Sequence, residues 1–283
     1  YFPPRSQVGA LRPLKFARHL PEHGWAPVVL CDLWPGAKTD PTLSDAIPES
    51  SIIVRDYSWR AVRAQSKHAK AWAKRLDWDN LRARRADREN RIVRAIPSWL
   101  NNPELVPLGE HSHRMPYALR RAHETLERFA CDAIVVNADP YAACLVGARL
   151  KRETGLPLVL DLRDPWAPCE LRRRRRPRPI RILVDRLERR AVLAADRVVL
   201  NTETTWDDYR QFYPALPAEK FTWIRNHSDA ELIDAGKHVG FDRFTLLFLG
   251  NFGRFIKPDV LLNGLAELLR RGMPADKLQL VVT

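Results

Sequence analysis

Leu158-Val159-Leu160-Asp161-Leu162-Arg163-Asp164-Pro165-Trp166 is the stretch on which the fold turns. Its first three residues form a short apolar run of the kind that is buried on both faces of a parallel sheet. Two carboxylates and a guanidinium follow at once, and Pro165 closes the run as strand punctuation. Working backwards, Gly155, Leu156 and Pro157 make a turn, and a helical pattern through Leu145, Val146, Gly147 and Lys151 precedes it. Before that, Ala133, Ile134, Val135, Val136 and Asn137 form a second short apolar run. Strand, helix and strand in this order are a βαβ unit, whose crossover makes the two strands parallel.

The same alternation extends in both directions. Strands are expected over 26–30, 52–55, 133–137, 158–162, 197–201 and 221–224, with helices over 10–23, 113–130, 142–154, 180–194 and 204–212. Residues 61–100 are helical by composition, with Trp72, Leu76, Leu81, Ile92 and Val93 set among many charges. After Asn226 the pattern restarts with a polar stretch, a strand over 245–249, a glycine turn, a helix over 259–271 and a strand from Leu278. The expectation is α/β: a doubly wound, Rossmann-like domain over 1–227 with a basic helical insertion at about 58–112, a linker over 228–243, and the opening of a second Rossmann-like domain over 244–283.

In open sheets of this kind ligands bind past the carboxyl ends of the strands. Asp161, Arg163, Asp164 and Trp166 lie there, and so does Asp139 on the neighbouring strand. Asp161, Arg163 and Asp164 either pair among themselves to shape the loop or leave a carboxylate and the Trp166 indole facing a substrate. Asp139 either meets the reacting group or caps the helix after Pro140. Near the start, Gly9 and Arg12 sit where a loop enters a helix, an arrangement suited to an anion. A second glycine turn carries Gly250, Arg254 and Lys257, two cations that are either solvated in the loop or placed to meet an anion.

The order Tyr1-Phe2-Pro3-Pro4, Gly9, Arg12, a helix ending Leu20-Pro21-Glu22-His23-Gly24-Trp25, and then a strand resembles the start of GT-B glycosyltransferases with a subfamily-4-like N-terminal domain. So do Cys131–Pro140, the Asp161–Trp166 motif, the Ala195-Asp196 before a strand, the Asn226 hinge and the Phe248–Lys257 turn. His227 stands where that family has a glycine, and a strand preceding Tyr1 is expected from it. The resemblance implies sugar transfer from a nucleoside-diphosphate sugar to a glycan, lipid-linked or small-molecule acceptor, with retention and without a metal or other cofactor. It implies catalytic roles for Asp139, Asp161 and Asp164, acceptor contacts for Arg163 and Trp166, and donor or phosphate contacts for Gly9, Arg12, Gly250, Arg254 and Lys257. It also places a carboxylate-bearing donor segment beyond Thr283, so the chain reads as a piece that is inactive alone and prone to self-association through exposed apolar faces.

With 283 residues, 45% of them hydrophobic, the chain can bury a substantial core, and its net charge of +13 selects anionic partners. The arginine run Arg172–Arg176, with Arg178 and Arg181, reads either as a solvated loop or as a collector of an anionic acceptor or membrane face. Four scattered cysteines, Cys31, Cys131, Cys144 and Cys169, fit neither a zinc site nor a disulfide framework, which suits a cytoplasmic protein working at most at the inner face of the membrane. His111, His113 and His123 lack further ligands nearby, so no metal is expected. A silent, truncated binding module is the rival reading. A nucleic-acid-binding protein lacks a motif here, and a nicotinamide enzyme lacks its Gly-x-Gly-x-x-Gly.

Overall fold

The computed structural model describes residues 2–6, 8–32, 39–56, 107–108, 115–138, 140–227, 240–250, 252 and 257–282. The basic stretch expected to form an insertion therefore lies, except for Pro107 and Leu108, outside the described residues. The chain divides into two compact units, Tyr1–Asn226 and His227–Thr283.

In the first unit, α1 (Leu11–His19) precedes β1 (Val28–Asp32), and the short α2 (Thr42–Asp45) leads to β2 (Ile52–Asp56), which pairs parallel with β1. Next come α3 (Met115–Arg128), β3 (Ile134–Ala138), α4 (Ala142–Thr154), β4 (Leu158–Leu162), α5 (Glu170–Arg175), α6 (Arg178–Ala194), β5 (Arg197–Leu200), α7 (Glu203–Phe212) and β6 (Phe221–Trp223). Strands β3 to β6 form a four-stranded sheet in sequence order, every pair parallel, with helices in each crossover. This is the Rossmann-like α/β fold read from the sequence.

The reasons are local. In β4, Leu158, Leu160, Asp161 and Leu162 are all buried, so both faces of the strand are covered. Helix α4 packs so closely that a methyl group on Gly147 would lie 2.6 Å from Val136 Cγ2 and 3.1 Å from Leu158 Cδ1. Gly155 ends α4 with a φ of 75°, a left-handed cap that glycine adopts without strain. The Asp196 carboxylate accepts the Leu158 N–H at 2.6 Å and pairs with Lys151, which pins the start of β4 beside that of β5. Thr202 caps α7 by accepting the Thr205 N–H at 3.1 Å.

The second unit holds β7 (Phe244–Phe248), α8 (Asp259–Arg270) and β8 (Leu278–Val282), the strands again parallel over five residues each. The arginine run departs from the loop expected of it. Residues Glu170–Arg175 are helical, because four arginines favour helix intrinsically and Pro177 stops the turn just past its end.

Candidate active site at the carboxyl edge of the sheet

Arg12 projects from the first turn of α1 into the carboxyl end of the sheet. Its Nε donates to both Asp161 oxygens at 3.0 and 2.9 Å, and its Nη2 donates to Asp161 Oδ1 at 2.7 Å. Its Nη1 donates to the Ile224 carbonyl at 2.8 Å and to Asn226 Oδ1 at 3.0 Å. Both partners of the ion pair are buried, Arg12 at 6% exposure and Asp161 at 1%. Asn137, at the end of β3, donates its amide N–H to the other Asp161 oxygen. One guanidinium thus joins α1, the end of β4 and the last residues of the unit past β6, and Asn137 adds the end of β3 through the same carboxylate. This fork geometry suits arginine and could not be reproduced by lysine.

Arg12 and Asp161, expected as a phosphate contact and a catalytic carboxylate, spend their charges on each other. They shape the rim from inside. Asp161 also pairs with Arg12 rather than with Arg163. Gly9 is buried in the short helical turn that leads into α1, and so supports the same corner.

The loop after β4 is held from four elements. Trp166 is wholly buried, its ring stacked on Tyr141 with centroids 4.9 Å apart and its indole N–H donating to the Pro107 carbonyl at 2.9 Å. The indole expected to stack on an acceptor fills the core with its large apolar ring in this structure. The Tyr141 hydroxyl donates to the Pro165 carbonyl at 3.2 Å and accepts from Arg172 at 2.6 Å. Arg176 donates to the Trp166 carbonyl at 3.1 Å, and Arg173 donates to the Ala167 carbonyl at 3.2 Å while pairing with Asp185. These arginines of the run are hooks for the loop, each with a partner within the fold.

Beneath the loop sits Glu188, fully buried in α6. It accepts hydrogen bonds from the hydroxyls of Tyr209 and Tyr213 and from the Ala167 N–H, and Tyr209 in turn accepts the Trp166 N–H at 3.2 Å. Burial pushes its carboxyl up to about 7 in spite of the three donors. Burial, reinforced by the Glu188 charge, raises the Tyr209 hydroxyl as well.

What this framework presents to solvent is Arg163 and Asp164. They pair with each other at 2.9 Å, with the Asp164 side chain 44% and that of Arg163 21% exposed. Asp139 and Arg254 lie outside the described residues. Gly250, with a φ of 145°, and Lys257, which is exposed, belong to the second unit, where Phe248 and Phe252 stack with centroids 4.3 Å apart beside the turn. Of the histidines, His123 pairs with Glu153, and His111 and His113 fall outside the described residues. Among the described residues no three His, Cys, Asp or Glu side chains converge as metal ligands, and no helix is long and apolar enough to cross a membrane.

Asn137, Tyr141, Glu188 and Tyr209 were missed as parts of the framework. Asn137 had a signal, a polar residue closing an apolar strand beside the rim. Glu188 had one too, since it interrupts the apolar stripe of Val184, Ala191 and Val192 on α6.

The family model described as Glycosyltransferase Family 4 matches residues 81–232, which includes the β3–β6 sheet and the Asp161–Trp166 motif. D-inositol 3-phosphate glycosyltransferase 1 of Catenulispora acidiphila is 28% identical over 199 residues, covering 63% of this chain and 43% of that protein. The chain thus spans less than half the length of this curated relative.

Proposed function

Since the chain belongs to glycosyltransferase family 4 and has the α/β fold of GT-B enzymes with a subfamily-4-like N-terminal domain, we propose that it forms the acceptor side and the opening of the donor side of a cytoplasmic enzyme. That enzyme moves a sugar from a nucleoside-diphosphate sugar to a glycan, lipid-linked or small-molecule acceptor. The observation that carries the reading is the Arg12–Asp161 fork. It locks three segments at the carboxyl edge of a parallel sheet, where α/β folds bind ligands, and the Arg163–Asp164 pair lies exposed just beyond it.

In this reading the framework orients and the exposed pair meets substrate. Asp164 receives an acceptor hydroxyl and Arg163 steadies its polar or anionic neighbour. A phosphorylated acceptor, of the kind named in the relative from Catenulispora acidiphila, suits a chain of net charge +13. Arg254 and Lys257 neutralise the diphosphate as the anomeric C–O bond breaks, in place of a metal, and the family resemblance favours transfer with retention. Asp139 lies one residue past β3 and is assigned to the same acceptor group.

The test uses the whole protein from which this chain comes. It is incubated with a panel of radiolabelled UDP-, GDP-, ADP- and dTDP-sugars and with candidate acceptors that include inositol phosphates. Transfer is expected from one donor class. Lys257→Ala and Arg254→Ala should each weaken donor binding by about ten- to a hundredfold, as for loss of a hydrogen bond to a charged group. Asp164→Asn should lower kcat with donor affinity retained. Absence of donor binding and hydrolysis across the panel would favour the silent binding module.

A further inference from the structure

Helix α6 has two unlike faces. Val184, Glu188, Ala191 and Val192 point inward and are buried. On the opposite side Arg178, Ile182, Arg186, Arg189, Arg190 and Leu193 recur at helical spacing, and all of them are exposed. Ile182 and Leu193, three turns apart in line, are 41% and 50% exposed, and Leu183 beside them is 42% exposed. No carboxylate lies on this face. Of the acids on the helix, Glu188 is inside, and Asp185, on the flank, is paired with Arg173. Arg178, Arg186, Arg189 and Arg190 make no ion pair among the described residues. The neighbouring Arg173, Arg174 and Arg176, by contrast, have partners within the fold.

We propose that the outward face of α6 docks the protein on an anionic lipid bilayer. An arginine face alone would fit any polyanion. The discriminating feature is the apolar line of Ile182 and Leu193 between the arginines, since exposed branched side chains gain nothing from a nucleic-acid backbone but gain from entering the acyl boundary. Arginine stems lie along such a boundary while the guanidinium heads reach lipid phosphates, which is the arrangement that the interleaving provides. The helix packs through its buried side on α4 and the core residues beneath it, so contact with a bilayer is along its length and not by insertion of an end. Because vesicle binding needs neither donor nor acceptor, the proposal stands apart from the transferase reading.

Flotation of the protein with equimolar phosphatidylcholine–phosphatidylglycerol vesicles, with pure phosphatidylcholine vesicles and with duplex DNA as the competing polyanion tests it. Binding is expected to the anionic vesicles, to weaken with salt, and to be negligible on phosphatidylcholine. Arg186→Glu with Arg190→Glu should lower anionic-vesicle partitioning at least about twentyfold, at roughly fivefold per basic residue. Ile182→Ser with Leu193→Ser should lower vesicle partitioning severalfold while leaving any DNA binding unchanged. All four positions are exposed, so thermal unfolding of both variants should match the parent. No binding to anionic vesicles, or binding that neither double variant changes, overturns the proposal. So does a vesicle affinity that follows the arginines but ignores Ile182 and Leu193 and is equalled by DNA, which would make the face a general polyanion surface.

Discussion

Two βαβ units of this chain have the same backbone design and opposite burial. In β3–α4–β4 two five-residue strands pair parallel around a thirteen-residue helix, and in β7–α8–β8 two five-residue strands pair parallel around a twelve-residue helix. Helix α4 buries Ala142, Cys144, Gly147, Ala148 and Leu150, whereas α8 buries no residue, and Val260, Phe244 and Leu247 around it are 83%, 62% and 51% exposed. The apolar residues of α8 are no fewer. What differs is the number of neighbours: among the described residues β4 is flanked by β3 and β5 and covered on both faces, while β7 pairs with β8 alone. Local pattern is thus enough to specify a βαβ turn of chain, but a core is a property of three or more strands with both faces covered.

If that is right, the deepest point of the first unit should tolerate change least. Arg12→Ala leaves Asp161 buried with a single amide partner, so unfolding free energy should fall by about 3–5 kcal/mol, the usual result of stranding one member of a buried pair. Asp161→Ala should cost less, because Arg12 keeps the Ile224 carbonyl and the Asn226 side chain as acceptors. Urea denaturation of the two single variants and of the double variant checks this. A double variant less stable than Arg12→Ala would show that the pair is not the dominant interaction there.

Glu188 sharpens the contrast through pH. Its carboxyl titrates near 7 in the folded state, above the ordinary value of an unfolded glutamate, so burial disfavours its ionised form. A group raised in this way stabilises least when ionised. Stability should be greatest below pH ~4.5, decline as pH rises towards 7, and level off above, by on the order of 3 kcal/mol in all. Glu188→Gln, which retains an acceptor for the tyrosines and never ionises, should remove that part of the slope. The measurement is Tm against pH for both proteins, and parallel curves would count against the assignment. No comparable buried acid exists among the described residues of the second unit.

Much of this was legible beforehand and some could not be. The parallel strands and crossover helices followed from short apolar runs spaced by helical ones, with most ends within a residue or two; the first helix, expected to His23, ends at His19 and tightens into a 3-10 turn over Leu20–His23, and the first strand begins at Val28 rather than 26 because Pro27 has no N–H for a ladder. The rim at Asp161–Trp166 was legible because polar residues directly after a buried strand have few other uses. Which of them face a substrate was not. Burial of the Trp166 ring depends on Tyr141, and the pairing of Asp161 depends on Arg12, partners 25 and 149 residues away in sequence. Nor does sequence separate Arg172 and Arg173 of α5, turned inward to the loop, from Arg178 of α6, turned outward, since all three belong to one basic run.

The smallest effect offers the most direct comparison, because the same substitution should have opposite signs in the two units. Both α4 and α8 carry an interior glycine, Gly147 and Gly264, and alanine is the better helix former by about 0.5–1 kcal/mol. At Gly147 the new methyl group meets Val136 Cγ2 at 2.6 Å and Leu158 Cδ1 at 3.1 Å. Leucine can turn aside, but a β-branched valine in a strand has little freedom. Overpacking of this kind costs about 1–3 kcal/mol, which exceeds the helix gain, so Gly147→Ala should destabilise. At Gly264 nothing lies within 4 Å of the added methyl, and the propensity term acts alone. Gly264→Ala should therefore raise the helicity and stability of the second unit by up to about 1 kcal/mol. Hydrogen exchange of the α4 and α8 amides reads the two effects separately: protection should fall in α4 for the first variant and rise in α8 for the second. Loss of protection in α8 on Gly264→Ala would mean that its open face is covered in solution by something packed as closely as β3 and β4 are on α4.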